Sequence, residues 1–339
     1  MGTKLRQSNI ELLRIISMLM ILMVHFTGAT FPLPPKATLT HFCDINSIAK
    51  ILMESFSIIG VNCFVLISGY FGIKPSVKGV VNFILWCAFY SVVIYAIYTI
   101  AKPTQYNILD LIESFGIFSH TDLWFIPAYF ALYIIAPIIN KGIADLKAKP
   151  FILLLCGLTF INVYLGWGWS HKINPTGYNV MQLIYIYIIG RFLKVHISRY
   201  RNIKHWYIVG YFASFLLITL STLFCKSTMA FAYNSPFVIS ASIFFFLIFT
   251  SFRFYSPNIN FIASSAFAVY LIHKMPPIWN DLKNLLIDNT KNADPFTFTL
   301  FWVLFIVLIF SSCITIDKFR ELVTKPLSHF ITKQIKRII

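Results

Sequence analysis

Long apolar stretches, separated by short polar segments, recur along the whole sequence. A helix needs about 20 predominantly apolar residues to cross the hydrocarbon core of a bilayer. The pattern predicts ten such spans, at residues 8–29, 51–72, 80–101, 122–140, 150–169, 178–193, 205–225, 235–252, 258–274 and 297–316. We therefore expect an all-α, polytopic integral membrane helix bundle of about ten transmembrane helices.

Two further segments are too polar to cross a membrane, but apolar and polar residues still alternate along them. Residues 104–120 predict an amphipathic helix on the outer face, and residues 317–339 predict a basic amphipathic helix that breaks near Pro326. The expected organisation is thus a transmembrane domain over residues 1–316, followed by a basic cytoplasmic tail over residues 317–339.

Composition supports the membrane assignment. The chain is 58% hydrophobic and only 12% charged, with a mean hydropathy of +0.75, whereas soluble globular chains carry about 25% charged residues. The formal charge of +16 is compatible with nucleic-acid binding, but the basic residues are scattered between the apolar spans, which is typical of a membrane protein. The six cysteines show no metal-ligand spacing, so we expect no metal.

The distribution of Lys and Arg predicts the orientation. If the N-terminus is placed in the cytoplasm, nineteen basic residues fall in the inner segments and eight in the outer segments. Inner loops of membrane proteins are enriched in basic residues. Both termini are therefore expected in the cytoplasm, most simply at a bacterial cytoplasmic membrane, with the basic loop from Arg191 to Lys204 on the same side.

The first span is unusual because it carries ionisable residues. Arg14 and His25 lie eleven residues apart, close to three helical turns, so they share one face about 16 Å apart along the axis. Glu11 lies one turn before Arg14, where the two can pair. Ionisable groups at membrane depth normally face a protein interior or a wet cavity, so this face is the leading site candidate. A snorkelling anchor at Arg14 and a structural histidine at His25 are the alternatives.

Other candidates are polar or aromatic residues near the ends of later spans. Glu54 lies at about the depth of His25 and can orient or charge-pair it, or can be a solvated rim carboxylate. Trp124 opens the fourth span, and Tyr270 and His273 lie one turn apart near the outer end of the ninth. We take these four residues as candidate substrate contacts; for His273 the alternative is a water-facing rim residue.

Four motifs in this order resemble the membrane-bound acyltransferase family 3. The first is an Arg followed after ten residues by His, at Arg14 and His25. The others are Phe64-Val-Leu-Ile-Ser68-Gly69-Tyr70, Leu123-Trp124-Phe125 with Tyr133 and Pro137, and Ser265-Ala-Phe-Ala-Val-Tyr270-Leu-Ile-His273. The sequence departs from the family in one place. Many members carry Arg-x-x-Arg after the second span, where this chain has Lys74 and Lys78, and lysine lacks the bidentate fork of arginine.

The resemblance implies transfer of an acyl group from cytosolic acyl-CoA, most simply acetyl-CoA, to a hydroxyl of a cell-surface or exported polysaccharide, either free or lipid-linked. In that interpretation Lys74, Lys78 and Arg191 are candidates for holding the nucleotide end of the donor, with Arg14 and His25 as catalytic residues. His25 acts either as a general base for the acceptor hydroxyl or as a covalent acyl carrier. A flippase for lipid-linked sugars and, less favoured because the outer loops are short, a glycan polymerase remain the alternatives.

Overall fold

The computed structural model describes residues 6–30, 45–119, 123–168, 173–197, 204–225, 228–291 and 293–338. These residues are predominantly helical and include no β-strand. In chain order the helices are α1 Ser8–Thr30, α2 Ile45–Ser57, α3 Gly60–Phe71, α4 Val77–Ala101, α5 Ile108–Glu113, α6 Phe125–Ile143, α7 Ala148–Thr159, α8 Val180–Phe192, α9 Lys204–Cys225, α10 Pro236–Thr250, α11 Pro257–Ala263, α12 Ala266–His273, α13 Pro276–Thr290 and α14 Pro295–Ile338.

Within the described ranges, nine helical segments are long and apolar enough to cross a membrane. Two of them include π-helical turns, because Phe160–Gly168 extends α7 and Leu193–Ile197 extends α8. The prediction of an all-α polytopic bundle is therefore confirmed. Residues 258–274 do not form one continuous span; they form the short helices α11 and α12, which are separated at Ser264–Ser265.

Three further details differ from the sequence expectations. The second span is divided into α2 and α3 at Ile58–Ile59, and the outer amphipathic helix is shortened to α5. The predicted break at Pro326 is wrong, because α14 is a single helix of 44 residues, about 66 Å long, with Pro326 inside it. Pro326 is exposed, and hydrogen bonds from Arg320 to Thr324 and from Ser328 to Asn82 hold the helix on either side of it.

The chain forms two compact units. The first comprises residues 1–73 and 128–263 and contains α1–α3 and α7–α11, together with most of α6. A close crossing joins α3 to α8, where Gly69 lies against the Tyr187 carbonyl and Gly190 lies against the Leu66 carbonyl. Any larger side chain at either glycine would collide with backbone. This crossing explains the small residue after Ser68 and fixes the end of α3.

The second unit comprises residues 74–127 and 264–339. Its core is the packing of α4 against α14, with α12 against both. The buried carboxylate of Asp317 accepts hydrogen bonds from Trp86 Nε1 at 3.0 Å, Tyr90 Oη at 2.8 Å and Arg320 Nε at 2.7 Å. A charge buried in a membrane protein needs such partners. The bonds from Trp86 and Tyr90 join α4 to α14 at this point, and the bond from Arg320 lies within α14.

Candidate functional site

Helix α1 is continuous, so it presents Arg14 and His25 on one face as predicted. Arg14 Nε lies 3.5 Å from Glu11 Oε2, which confirms the predicted pairing. The Arg14 side chain is 34% exposed, although it lies inside a membrane-spanning helix. His25 is half-buried. A partly exposed guanidinium at this depth indicates a polar environment around the inner half of α1.

The last turns of α3 place Ser68 beside α6. Ser68 Oγ donates to the Phe64 carbonyl at 3.2 Å and lies 3.1 Å from Tyr129 Oη. A serine hydroxyl carries one hydrogen, so Ser68 accepts and Tyr129 donates in this arrangement. The Tyr129 hydroxyl is also within electrostatic range of the Arg14 charge. Sequence reasoning singled out Arg14 and Ser68 but did not identify Tyr129.

Immediately after α3 the backbone bends sharply at Gly72, where φ is +74°. A Cβ atom at Gly72 would lie 2.9 Å from Arg191 Nη1, so glycine is required both for the bend and for the approach of the guanidinium. The next residue is fixed by Tyr187 and Asn140: Ile73 N donates to Tyr187 Oη at 2.9 Å, and Asn140 Nδ2 donates to the Ile73 carbonyl at 3.0 Å.

A further cation lies at the same end of α3. Lys194 Nζ is 4.5 Å from the centre of the Tyr70 ring, a cation–π geometry. Arg14 is linked to this end of α3 through Tyr129 and Ser68, and we call Arg14, Arg191 and Lys194 the α3 cationic cluster. Among the described residues, no carboxylate lies within salt-bridge distance of Arg191 or Lys194. Arg191 Nε is buried and has no hydrogen-bond acceptor among them. The cluster is therefore suited to an anionic ligand.

The other end of α3 enters a neutral network of buried amides. Asn62 Nδ2 and Gln182 Nε2 both donate to the Tyr233 carbonyl, at 2.9 and 2.7 Å. Asn234 Nδ2 donates to the carbonyls of Asn162 and Asn174. We call the side chains of five residues the amide network: Asn62, Asn162, Asn174, Gln182 and Asn234. Each of these residues is at most 2% exposed. Backbone carbonyls and amides satisfy most of their hydrogen-bonding capacity, which indicates a structural role.

Glu54 lies on α2, one turn from the buried Lys50, and the two charges attract each other. Glu54 is also close enough to Tyr178 to affect its ionisation. Partial burial raises the pKa of the Tyr178 phenol, a hydrogen bond with Tyr233 opposes that shift, and the negative charge of Glu54 adds to it. The predicted association of Glu54 with His25 stays a prediction.

Three predicted substrate residues occur together in the second unit. The ring of Trp124 packs edge-on against Phe125 at 5.8 Å, Phe125 packs against Tyr270 at 5.9 Å, and Tyr270 packs against His273 at 6.2 Å. His273 is fully buried, and its Nδ1 atom contacts the Val269 carbonyl. The rim alternative for His273 is therefore wrong. We call these four residues the aromatic row.

Lys74 and Lys78 flank the start of α4 in the second unit, and both are exposed. Arg191, the third predicted donor contact, belongs to the first unit, in the cationic cluster. Sequence reasoning named Arg191 but not Lys194, although both lie in the same basic loop. Arg191 and Lys194 are three residues apart in the chain, a spacing that places both side chains on one helix face. This spacing is the sequence signal from which Lys194 could have been predicted to lie beside Arg191. Residues 198–203 of that loop lie outside the described residues.

Comparison with known families identifies the chain. The acyltransferase family 3 model, described as an acyltransferase domain, matches residues 7–318. No curated protein and no solved structure matches the chain. The match begins just before α1, includes every predicted site residue and ends within α14. This multi-pass membrane protein therefore belongs to acyltransferase family 3 and is an enzyme that transfers acyl groups.

Proposed function

We propose that the enzyme transfers an acyl group, most simply acetyl, from cytosolic acyl-CoA to a hydroxyl of a cell-surface or exported polysaccharide. The observation that carries this proposal is the buried, unmatched Nε of Arg191 beside Lys194 at the end of α3. Phosphate oxygens are the acceptors that a guanidinium fork matches best. The diphosphate of coenzyme A supplies them on the side of the membrane predicted to be cytoplasmic.

Arg14 belongs to the same cluster and lies closer to the membrane interior along α1. Glu11 restrains the Arg14 side chain, which carries five N–H donors and no acceptor. We propose that Arg14, with the Tyr129 hydroxyl beside it, binds the polar groups of the pantetheine arm or the thioester carbonyl. This assignment gives the donor a path along α1, from the cations at the end of α3 towards His25.

His25 is the proposed reactive group. As a general base it takes the proton of the acceptor hydroxyl; the new alkoxide oxygen bonds to the thioester carbonyl carbon, the carbon–sulfur bond breaks and coenzyme A leaves as a thiolate that is then protonated. As an acyl carrier, an imidazole nitrogen first displaces the thiolate; the acceptor oxygen then bonds to the acyl carbon, the carbon–nitrogen bond breaks and the freed imidazole takes the hydroxyl proton. Both routes require the thioester to travel about 16 Å along α1 from Arg14.

Acceptor contacts are proposed for Glu54 and for Trp124, Tyr270 and His273. The partly exposed ring of Trp124 can offer an apolar face to a sugar ring, with the buried Tyr270 and His273 supporting it from behind, while the carboxylate of Glu54 accepts hydrogen bonds from sugar hydroxyls. Trp124, Tyr270 and His273 occur together in the aromatic row, which supports a shared role. The orientation predicted from the basic residues would place the acceptor on the outer side of a bacterial cytoplasmic membrane.

Binding of acetyl-CoA to the purified protein in nanodiscs tests the donor assignment without knowledge of the acceptor. Titration calorimetry should show the Arg191→Gln/Lys194→Gln variant binding at least about tenfold more weakly, because two charge-assisted contacts are lost. The control is Lys147→Gln/Lys149→Gln, two exposed lysines at the start of α7. Equal affinity for acetyl-CoA in the wild type and the Arg191/Lys194 variant would show that this cluster does not bind the donor.

A further inference from the structure

An apolar groove of about 430 Å³ lies within the second unit, between the start of α4 and the end of α14. Its lining residues are Pro75, Ser76, Val77, Val80, Val81 and Ile335, all of them apolar except Ser76. None of these residues belongs to the site proposed above, and Ile335 lies beyond the part of the chain that matches the family. The groove therefore requires its own explanation.

The groove follows from how α14 is held against α4. Polar contacts join the two helices from Asp317, beside Trp86 and Tyr90, to Ser328, which donates a hydrogen bond to Asn82. Ile335 lies about 10 Å further along α14 than Ser328. There the partners on α4 are valines, whose short side chains leave the space open. The groove is thus lined by aliphatic side chains and begins where the polar contacts end.

Basic residues adjoin the lining residues of this apolar space in the sequence. Lys74, Lys78 and Lys333 are all exposed, and neither residues 74–81 nor residues 326–338 contain an acidic residue. The lining offers few groups that could match the many polar atoms of a nucleotide or a pantetheine arm. An occupant with one anionic group and an aliphatic chain satisfies both the rim and the lining.

The position of the groove relative to the membrane agrees with such an occupant. It lies at the first turn of α4, a membrane-spanning candidate, at the end predicted to be cytoplasmic. Alongside it, the face of α14 directed away from α4 exposes Phe319, Leu322, Val323, Leu327 and Phe330. An apolar exposed face with polar residues turned inwards is the pattern expected of a helix in contact with lipid. The groove thus opens at headgroup level.

We propose that this groove binds an anionic phospholipid of the cytoplasmic leaflet, with one acyl chain between Val80, Val81 and Ile335 and the phosphate at Lys74 and Lys78. This assigns the two lysines to lipid rather than to the acyl donor and does not depend on the proposed function. Basic residues next to a membrane surface attract anionic lipids, and the groove adds shape selectivity.

Native mass spectrometry of the purified full-length protein, titrated with phosphatidylglycerol, tests the assignment. Lys74→Gln/Lys78→Gln should weaken retention of phosphatidylglycerol by about 10- to 30-fold, whereas Lys147→Gln/Lys149→Gln should not. Val80→Trp, which fills the groove and keeps the charges, should also abolish the selective retention. In the wild type, phosphatidylglycerol should be retained in preference to phosphatidylcholine.

Three results would overturn the proposal. The first is equal retention of the two lipids by the wild type, and the second is unchanged phosphatidylglycerol binding in both groove variants. The third is displacement of the lipid by acetyl-CoA together with weaker acetyl-CoA binding in Lys74→Gln/Lys78→Gln. That result would show that these lysines bind the acyl donor. Loss of donor binding in the Arg191/Lys194 variant alone concerns the proposed function and leaves the lipid assignment intact.

Discussion

The two ends of α3 are built in opposite ways. At its C-terminal end, Arg14, Arg191 and Lys194 approach the helix with partly exposed side chains, and the Arg191 guanidinium retains a buried N–H without an acceptor. At its N-terminal end, the amide network is excluded from solvent and donates to backbone carbonyls. Gln182 Oε1 and Asn234 Oδ1 also lack a donor among the described residues, so the difference between the two ends is one of charge. Neutral amides that donate to backbone carbonyls help to specify a fold, whereas a buried cation without a counter-charge favours a ligand. We therefore expect substitutions at the cationic end to affect activity and substitutions in the amide network to affect stability.

Of the two ends of α3, the cationic cluster should give the larger effect on activity, at Arg14. Arg14→Ala should lower acyl transfer by about 10- to 100-fold, since it removes charge-assisted hydrogen bonds to the acyl donor. Arg14→Lys should lower transfer less, because lysine keeps the charge but loses the planar donors. The thermal midpoint should stay close to that of the wild type in both variants. A folded Arg14→Ala protein with full activity would remove Arg14 from the mechanism.

The amide network should show the reverse behaviour. Asn234→Ala leaves the buried carbonyls of Asn162 and Asn174 without their donor and should destabilise the protein by about 2–4 kcal/mol. Thermal unfolding in detergent would measure this loss, and transfer per folded molecule should change little. Asn289→Ala is the matched control, because the exposed Asn289 amide donates only to the Leu285 carbonyl one turn away. Unchanged stability in Asn234→Ala would argue against a structural role.

The smallest effect is expected in the second unit, at the ion pair that joins α4 to α13. Lys102 Nζ lies 2.6 Å from Asp281 Oδ1, and both side chains are more than a third exposed. Partial burial alone would raise the pKa of Asp281, but hydrogen bonds from Lys102 and Tyr98 outweigh it and hold the pKa below 3.8. Because the folded-state pKa is lowered, the stabilisation is present at neutral pH and is lost as the pH falls through that lowered value.

Asp281→Asn should therefore lower stability at pH 7 by less than about 1 kcal/mol, as for other exposed pairs. The difference between variant and wild type should shrink in acid, once the wild-type carboxyl is protonated. Thermal midpoints of both proteins across this pH range would measure it. A difference that persists well below pH 3.8 would show that the charge of Asp281 is not responsible.

The sequence predicts the elements well because each depends on nearby residues. Most spans, the shared face of Arg14 and His25 and the pairing of Glu11 with Arg14 follow from hydrophobicity and helical spacing. The α3 cationic cluster could be predicted only in part, since it brings residue 14 together with residues 191 and 194, which no local pattern connects. The continuity of α14 through Pro326 was missed for the same reason, because distant α4 contacts stabilise the helix.

The most direct test of the account compares surface polysaccharide from cells that lack this protein and carry either the wild-type chain or His25→Ala. Mass spectrometry should show the acyl increment restored by the wild type and absent, or reduced about 10²- to 10⁴-fold, with His25→Ala at equal membrane abundance and thermal midpoint. Full acylation supported by a well-folded His25→Ala protein would show that acyl transfer does not depend on the Arg14–His25 face of α1.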